Sequence, residues 1–209
     1  MRRHGRTRHE GCSFAEDPAL SALEARIFFE RRTDPYVLPC EAVPGATDER
    51  DLLRTGCFSA MLRGDDPAEQ VLFSDGLHNL RLEVQRGTLL AGPVQLRFRF
   101  EGLVGIEPSL LTLRRLVAFL RLGRMPRQLF PRDPRIDRSI LTLRAWDAHC
   151  AGASQREIAA ALFGRADSGS DWNGPSDYLH SRVKRLLRAA RAMARGDWRR
   201  LLRDPRSRD

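Results

Sequence analysis

The stretch SDYLHSRVKRLLRAARAMARGDW, residues 176–198, combines a run of apolar side chains with a dense set of basic ones. At about 100° per residue, five apolar side chains fall within about 80° of one another on a helix: Leu179, Val183, Leu186, Ala190 and Met193. Beside Ser181 and Arg185, four basic side chains fill a sector of about 60° on the opposite side: Lys184, Arg188, Arg191 and Arg195. The pattern predicts a helix over about 176–194 with one buried edge and one cationic edge.

Acids do not balance the basic residues of this stretch. Between residues 176 and 208, eleven basic side chains accompany three acidic ones, and the whole chain of 209 residues has a formal net charge of +9. A helix face that is merely solvated is often stabilised by acids four residues from its bases, and no acid falls within this cationic edge. Contact with a nucleic acid is therefore favoured over plain solvation.

Two helical segments precede the basic helix. The first covers about 137–150 and is expected to bury three large side chains: Ile140, Leu143 and Trp146. After a glycine turn, Ser154 lies three residues before Glu157, the capping-box spacing that predicts a short helix, which ends at Gly164. Helix, glycine turn, capped helix and basic helix form the layout of a helix-turn-helix module. We therefore predict an all-α DNA-binding domain over 131–205.

Between residues 36 and 130 the pattern predicts a small antiparallel sheet with a covering helix. Apolar and polar residues alternate in LHNLRLEV and in VQLRFRF, which indicates half-buried strands, and Asp75-Gly76 between apolar runs predicts a hairpin turn. The segment EPSLLTLRRLVAFLRLG predicts an amphipathic helix, whose sheet-facing side chains are expected to be Leu110, Leu113, Val117 and Leu120. Three prolines in the next segment predict a domain boundary near residue 131.

The first 35 residues are predicted to form two parts. Residues 1–16 are basic and polar without periodicity, which is typical of a disordered tail. Residues 17–35 predict a helix, because Asp17 can cap it and Pro18 suits its first position. The predicted fold class is thus α+β, with the sheet region followed by an all-α helix-turn-helix-like C-terminal domain.

Other classes of protein lack their sequence signals here. The basic start MRRHGRTRHEGC has no apolar core behind it, so we expect no signal peptide, and no run reaches the ~18 apolar residues of a membrane span. Four scattered cysteines favour a reducing cytoplasm. No P-loop, GxGxxG or zinc-ligand spacing occurs. We therefore expect no cofactor, no metal site and no enzymatic activity.

The loop before the basic helix holds the acids that a nuclease would need. Asp167, Asp171 and Asp177 stand in a Ser/Gly-rich setting, which is typical of turns and not of a metal cluster. Trp172 in the same loop is interpreted as a packing anchor, with base stacking as the alternative.

Residues 131–202 resemble a known family. The pieces LTLRAWDAHCAGASQREIAAALFG, DW and LHSRVKRLLRAARAMARGDWRRLL are similar to recurring parts of the RovC-like DNA-binding domain of proteobacteria, formerly a domain of unknown function. The segment FFERRTDPYVL, residues 28–38, also resembles an N-terminal element of longer members, but the usual run of tryptophans is missing. The resemblance implies a helix-turn-helix variant with a loop before its recognition helix. It also implies an activator of type VI secretion or conjugative-element genes, with DNA contacts from Arg182, Lys184, Arg185 and Arg188.

We predict a cytoplasmic, homo-oligomeric and sequence-specific DNA-binding transcription regulator, an activator whose basic helix enters the major groove. Its expected partners are double-stranded DNA, RNA polymerase and a related antiactivator. We expect no interaction with a membrane. Residues 36–130 would serve regulation or oligomerisation, and Ser181, Lys184 and Arg185 would read bases. The complete set of expected DNA-binding residues is Ser154, Gln155, Arg156, His180, Ser181, Arg182, Lys184, Arg185, Arg188, Arg191 and Arg195.

The alternative function is that of an antiactivator, which sequesters a related activator without binding DNA. Some small relatives in the family act in this way. A helix used only for protein contact has less reason to keep uncompensated charge, so the cationic edge favours the DNA-binding function.

Overall fold

The computed structural model describes residues 20, 25–45, 51–63, 68–164 and 178–203, and the fold is given for these residues. The chain divides into two units, residues 1–131 and 132–209. The predicted tail over 1–16, the loop residues Asp167, Asp171, Trp172 and Asp177, and the positions 17–19 and 21–24 of the predicted first helix all lie outside the described residues.

The first unit contains a five-stranded mixed sheet. Its strands are β1 (Leu38–Val43), β2 (Phe58–Arg63), β3 (Glu69–Ser74), β4 (Asn79–Arg86) and β5 (Gln95–Arg97), in the order β2-β3-β4-β1-β5. The α+β class is confirmed, but the sheet is not purely antiparallel, because β1 runs parallel to β4. A parallel pair needs a crossover connection, which β2 and β3 provide here. Alternation of apolar residues predicts the faces of a strand and leaves its direction open.

The hairpin between β3 and β4 forms where it is predicted. Asp75 Oδ1 accepts hydrogen bonds from the backbone N–H groups of Leu77, at 3.0 Å, and His78, at 2.7 Å. Gly76 has a φ of 89°, which a side chain would disfavour. Beyond this turn, the alternating apolar residues of β4 are all buried: Leu80, Leu82 and Val84.

The covering helix α1 (Glu107–Leu122) turns a different face to the sheet from the predicted one. Leu116 and Phe119 are buried in the core, whereas Leu110 and Val117 are 42% and 48% exposed, which corrects the prediction. The Thr112 hydroxyl donates a hydrogen bond to the carbonyl oxygen of Tyr36 at 2.8 Å, and this polar contact fixes the rotation of the helix. The predicted Leu113 and Leu120 are partly buried against the same core.

The N-terminal helix predicted over 17–35 is wrong for its described second half, since residues 25–30 have no regular secondary structure. The sheet binds this segment instead. Arg81 Nε donates a hydrogen bond to the carbonyl oxygen of Ile27 at 3.1 Å, and its guanidinium lies 4.9 Å from the ring centroid of Phe29. Phe28 is buried. The carbonyl oxygen of Ile27 thus accepts a hydrogen bond from a strand side chain and not from the N–H group of a helical turn. Together with the burial of Phe28, this tertiary contact outweighs the local helical preference of the sequence.

The second unit is helical. Its helices are α2 (Ile136–Cys150), α3 (Gln155–Phe163), α4 (Tyr178–Ala192) and α5 (Trp198–Arg203). Between α4 and α5 lies a kinked segment, Met193–Asp197, which we call the π turn and in which Gly196 (φ 115°, ψ 0°) departs from helical geometry. The core combines residues of α2, α3 and α4: Ala145, Ile158, Ala159, Val183, Leu186 and Leu187.

The buried face of α2 differs from the predicted one. Ile140 is 42% and Leu143 is 58% exposed, and Trp146 is half-buried, whereas Thr142 and Ala145 are buried. Ala145 and Ala159 are small, so their backbones can approach α4 closely, and large side chains at these positions would separate the helices. Hydrophobic size alone therefore gives the wrong face for this helix.

Gly87 provides a test of the sheet, because it follows β4 where the chain passes β1. A Cβ atom on Gly87 would lie 2.0 Å from the carbonyl oxygen of Ala42, and the φ of Gly87 is +78°. We expect Gly87→Ala to lower the free energy of unfolding by more than the about 1–2 kcal/mol of a left-handed residue. The control is Gly123→Ala, which has a similar φ of +66° and nothing within 4 Å. Equal losses in denaturant titrations of the two variants would contradict this close approach.

Candidate nucleic-acid interface

The buried edge of α4 agrees with the sequence prediction. Leu179, Val183, Leu186 and Ala190 are buried, as is Leu187, and Met193 is half-buried in the π turn. Val183 is 0% exposed and belongs to the core shared with α2 and α3. Because this edge faces the core, the opposite edge of α4 faces away from it.

The basic side chains of α4 and the π turn point outward. Five of them are exposed: Lys184, Arg185, Arg188, Arg191 and Arg195. Within the described part of the chain, none of the five forms an ion pair with a carboxylate. An ion-paired, merely solvated face would show such pairs. The cationic edge is thus available to an external anion.

The remaining predicted residues of α4 have a different setting. His180, Ser181 and Arg182 are half-buried. The Arg182 guanidinium lies 4.0 Å from the ring centroid of Phe163, at the end of α3. This cation–π contact ties Arg182 to α3, so its guanidinium already has a partner within the protein.

The start of α3 carries the predicted capping box. Glu157 N–H donates to Ser154 Oγ at 3.3 Å, and Ser154 N–H donates to Glu157 Oε2 at 2.7 Å. The hydrogen bonds from Ser154 lower the pKa of the Glu157 carboxyl. Ser154 is exposed, so its hydroxyl lies within reach of an external phosphate oxygen, to which a hydroxyl can donate. The adjacent Arg156 is also exposed.

A pocket of about 420 Å³ lies between the start of α3 and α4. We call it the basic pocket, and its lining residues are Gln155, Lys184, Leu187, Arg188, Arg191 and Arg195. The Oε1 atom of Gln155 is buried and has no hydrogen-bond partner among the described residues. The structure thus brings five predicted DNA-binding residues together around one cavity.

His149 on α2 is a functional candidate that the sequence analysis missed. Arg191 Nη2 and His149 Nε2 are 3.4 Å apart. A guanidinium can only donate, so Nε2 of His149 is the acceptor of this hydrogen bond. The His149 ring also lies 5.8 Å from that of Trp146. The two bonded residues are 42 positions apart, so no local spacing in the sequence could indicate this contact.

The described residues contain neither a metal-binding cluster nor a membrane-spanning helix. Across the described ranges, no group of three or more His, Cys, Asp or Glu side chains could hold a metal ion. In the same ranges no helix combines the length and the apolar character that crossing a bilayer requires.

The capping box can be tested by Ser154→Ala. Loss of the hydroxyl removes the acceptor for Glu157 N–H, so we expect the free energy of unfolding at neutral pH to fall by about 1 kcal/mol. The matched control is Ser139→Ala, because the Ser139 hydroxyl only donates to the Arg135 carbonyl within α2, where alanine is at least as favourable.

The same cap predicts a pH dependence. Its hydrogen bonds lower the pKa of Glu157 in the folded state, so their stabilisation is present above the unfolded pKa and is lost as the pH falls through the folded one. The destabilisation by Ser154→Ala should therefore be smaller at acidic pH than at neutral pH. A loss that is independent of pH, measured by denaturant titration, would contradict a role for the ionised Glu157.

The comparison with known families agrees with this geometry. The family described as "T6SS, Transcription factor, DNA binding domain", the RovC DNA-binding domain, matches residues 106–203, slightly less than half of the chain. The match includes α1 and thus begins before the stretch 131–202 that carries the resemblance in the sequence. No curated protein matches the chain significantly. The predicted resemblance is confirmed: residues 106–203 of this chain match the model of the RovC family of DNA-binding transcription-factor domains.

Proposed function

We propose that the chain is a sequence-specific DNA-binding transcription regulator that inserts α4 into the DNA major groove. The observation that carries this proposal is the cationic edge of α4, which is exposed and without carboxylate partners among the described residues. The family match supports DNA as the partner. The insertion of α4 itself, and the residues that touch the duplex, are inferred from the geometry of the helix.

The dimensions of the edge suit a duplex. From Lys184 to Arg195 the helix rises about 16 Å, at about 1.5 Å per residue, and the major groove of about 12 Å width admits one α-helix. Ser181 and Arg185 lie within about 40° of one another, near the line opposite the buried edge. Side chains on this line enter a groove most deeply, and arginine suits the O6 and N7 atoms of guanine. We assign base reading to Ser181 and Arg185.

The start of α3 provides a second contact. In a helix-turn-helix arrangement the helix before the recognition helix crosses the DNA backbone. Ser154, Gln155 and Arg156 at the start of α3 are suited to phosphate oxygens, because a hydroxyl, a carboxamide and a guanidinium can all donate hydrogen bonds.

The family match supports a role in transcription regulation. We propose an activator that works in the cytoplasm as a homo-oligomer. Dimeric helix-turn-helix proteins bind two half-sites whose spacing mirrors the two-fold symmetry of the protein, so the proposed DNA site consists of repeated half-sites. RNA polymerase and a related antiactivator are the proposed protein partners. Residues 36–130 are proposed to serve regulation or oligomerisation.

The first prediction of this proposal concerns salt. If about five phosphates are neutralised, affinity for a duplex selected from a random pool should fall several hundredfold, roughly, between about 50 and 200 mM salt. Fluorescence anisotropy on the full chain measures this. The variant Arg99→Gln removes one positive charge from an exposed position in the other unit. It should show the same salt dependence as the native protein. A flat salt dependence, together with a stable complex with a related activator, would favour the antiactivator function.

The second prediction concerns specificity. Arg185→Gln should weaken binding to the selected duplex by about 5–150-fold, which corresponds to the about 1–3 kcal/mol of a bidentate base contact. Binding to a random duplex should weaken much less, so the preference between the two duplexes is reduced. An equal loss on both duplexes would assign Arg185 to the backbone instead.

A further inference from the structure

We infer that the basic pocket between α3 and α4 is a subsite for a single phosphate group of the DNA backbone, with Gln155 organising the cations around it. This inference rests on the proposed function and divides the cationic surface into two parts with different tasks. The pocket holds one backbone position, whereas the neighbouring line of Ser181 and Arg185 reads bases.

The lining of the pocket indicates the charge of its ligand. Four cationic side chains of α4 and the π turn surround one cavity of about 420 Å³: Lys184, Arg188, Arg191 and Arg195. In the portion of the chain described here, no carboxylate pairs with any of them. Like charges around one cavity repel each other, and an anion inside it relieves that repulsion. Guanidinium and ammonium groups together suit a phosphate, which offers several acceptor oxygens.

Gln155 supplies an independent observation. Its Oε1 is buried and lacks a hydrogen-bond partner among the described residues, although buried acceptors are paired as a rule. The surrounding side chains are all donors except Leu187. When an anion draws the cations inward, an N–H group of one of them comes within reach of Oε1, and the Nε2 hydrogens of the same carboxamide can bond the anion. Gln155 is therefore a positioning residue as well as a ligand.

A second residue organises the rim of the pocket from α2. The contact of 3.4 Å between Arg191 Nη2 and His149 Nε2 uses one donor of the guanidinium. A guanidinium has five such donors, so the others remain for the pocket. His149 thus fixes the orientation of Arg191 before any ligand binds, which lowers the entropic cost of ordering this long side chain.

The position of the pocket favours DNA over a free phosphorylated molecule. Lys184 and Arg188, which line it, lie on α4 within about 100° of Ser181 and Arg185. A helix in the major groove has a phosphate backbone on each flank, so a phosphodiester can occupy the pocket while Arg185 faces the bases. Lys184 was expected from the sequence to read bases, and its place in the pocket assigns it to the backbone.

The test compares two groups of variants of the full chain on two duplexes, one selected from a random pool and one of random sequence. Gln155→Leu and Arg191→Gln should each weaken binding about tenfold. For each variant the loss should be equal on the two duplexes, so the preference for the selected duplex stays unchanged. Arg191→Gln should also reduce the salt slope by about 1, whereas the uncharged Gln155→Leu should leave it unchanged. Arg99→Gln, outside the pocket, should alter neither quantity.

Further variants separate a ligand role from a structural one. Gln155→Glu keeps the shape of the side chain but introduces a carboxylate that competes with phosphate for the four cations, so it should weaken binding to both duplexes more than Gln155→Leu. Circular dichroism shows whether each variant is folded. If Gln155→Leu does not fold, the comparison of Gln155→Glu with Arg191→Gln decides the matter by the same criteria.

The source of the phosphate is tested with modified DNA and with inorganic phosphate. A selected duplex with one neutral methylphosphonate linkage, scanned along the site, should show one position at which the native protein loses affinity and Arg191→Gln loses none. Inorganic phosphate at millimolar concentration should shift the Gln155 side-chain amide resonances in the native protein and leave them unchanged in Arg191→Gln. Tight binding of phosphate that the duplex does not displace would overturn the assignment to DNA and indicate a small phosphorylated ligand.

The outcomes distinguish this inference from the proposed function. If the pocket variants bind both duplexes as the native protein does while Arg185→Gln loses its preference, the subsite is wrong and the DNA-binding function stands. If the native protein binds no duplex at any salt concentration, the proposed function itself fails.

Discussion

The packing of Val183 against the small residues of α2 and α3 is the constraint on which the rest of the helical unit depends. Val183, Ala145 and Ala159 are all completely buried in one core. Because alanine leaves the backbones close together, α4 has one rotation that fills the space without a void or a clash. Once that rotation is set, the direction of each outer side chain follows from the helical repeat. The chemistry of the surface is therefore fixed by residues that never touch a ligand.

The sequence predicts an element well where its signal is local. The turn at Asp75 and the cap at Ser154 depend on neighbours within three positions, and the strongly two-sided pattern of α4 leaves one orientation. Prediction fails for α1 and α2, because exposed leucines and isoleucines resemble core residues when only hydrophobicity is considered. The burial of Thr112 and Ala145 follows from partners far away in the chain. The parallel pairing of β1 with β4 has the same origin.

The candidate site shows the same division between local and distant information. The basic residues of α4 are predictable, since a helix with no acids on one edge is evident in the sequence. The basic pocket is not, because it needs Gln155 from α3 beside Lys184 and Arg188 from α4. The support of Arg191 by His149 is likewise a product of the packing of α2. Charge composition thus predicts the kind of partner, and tertiary packing determines where each charge acts.

The π turn at Met193–Asp197 has a consequence for the end of the chain. Gly196 within it has a φ of 115°, outside the helical range, so the chain kinks there and α5 leaves α4 in a new direction. A residue with a side chain is strained at this φ, and a Cβ atom on Gly196 would also meet the guanidinium of Arg199. The half-buried Trp198 follows the kink directly, so its burial depends on this change of direction. A substitution of Gly196 would thus redirect α5 without altering any residue of α4.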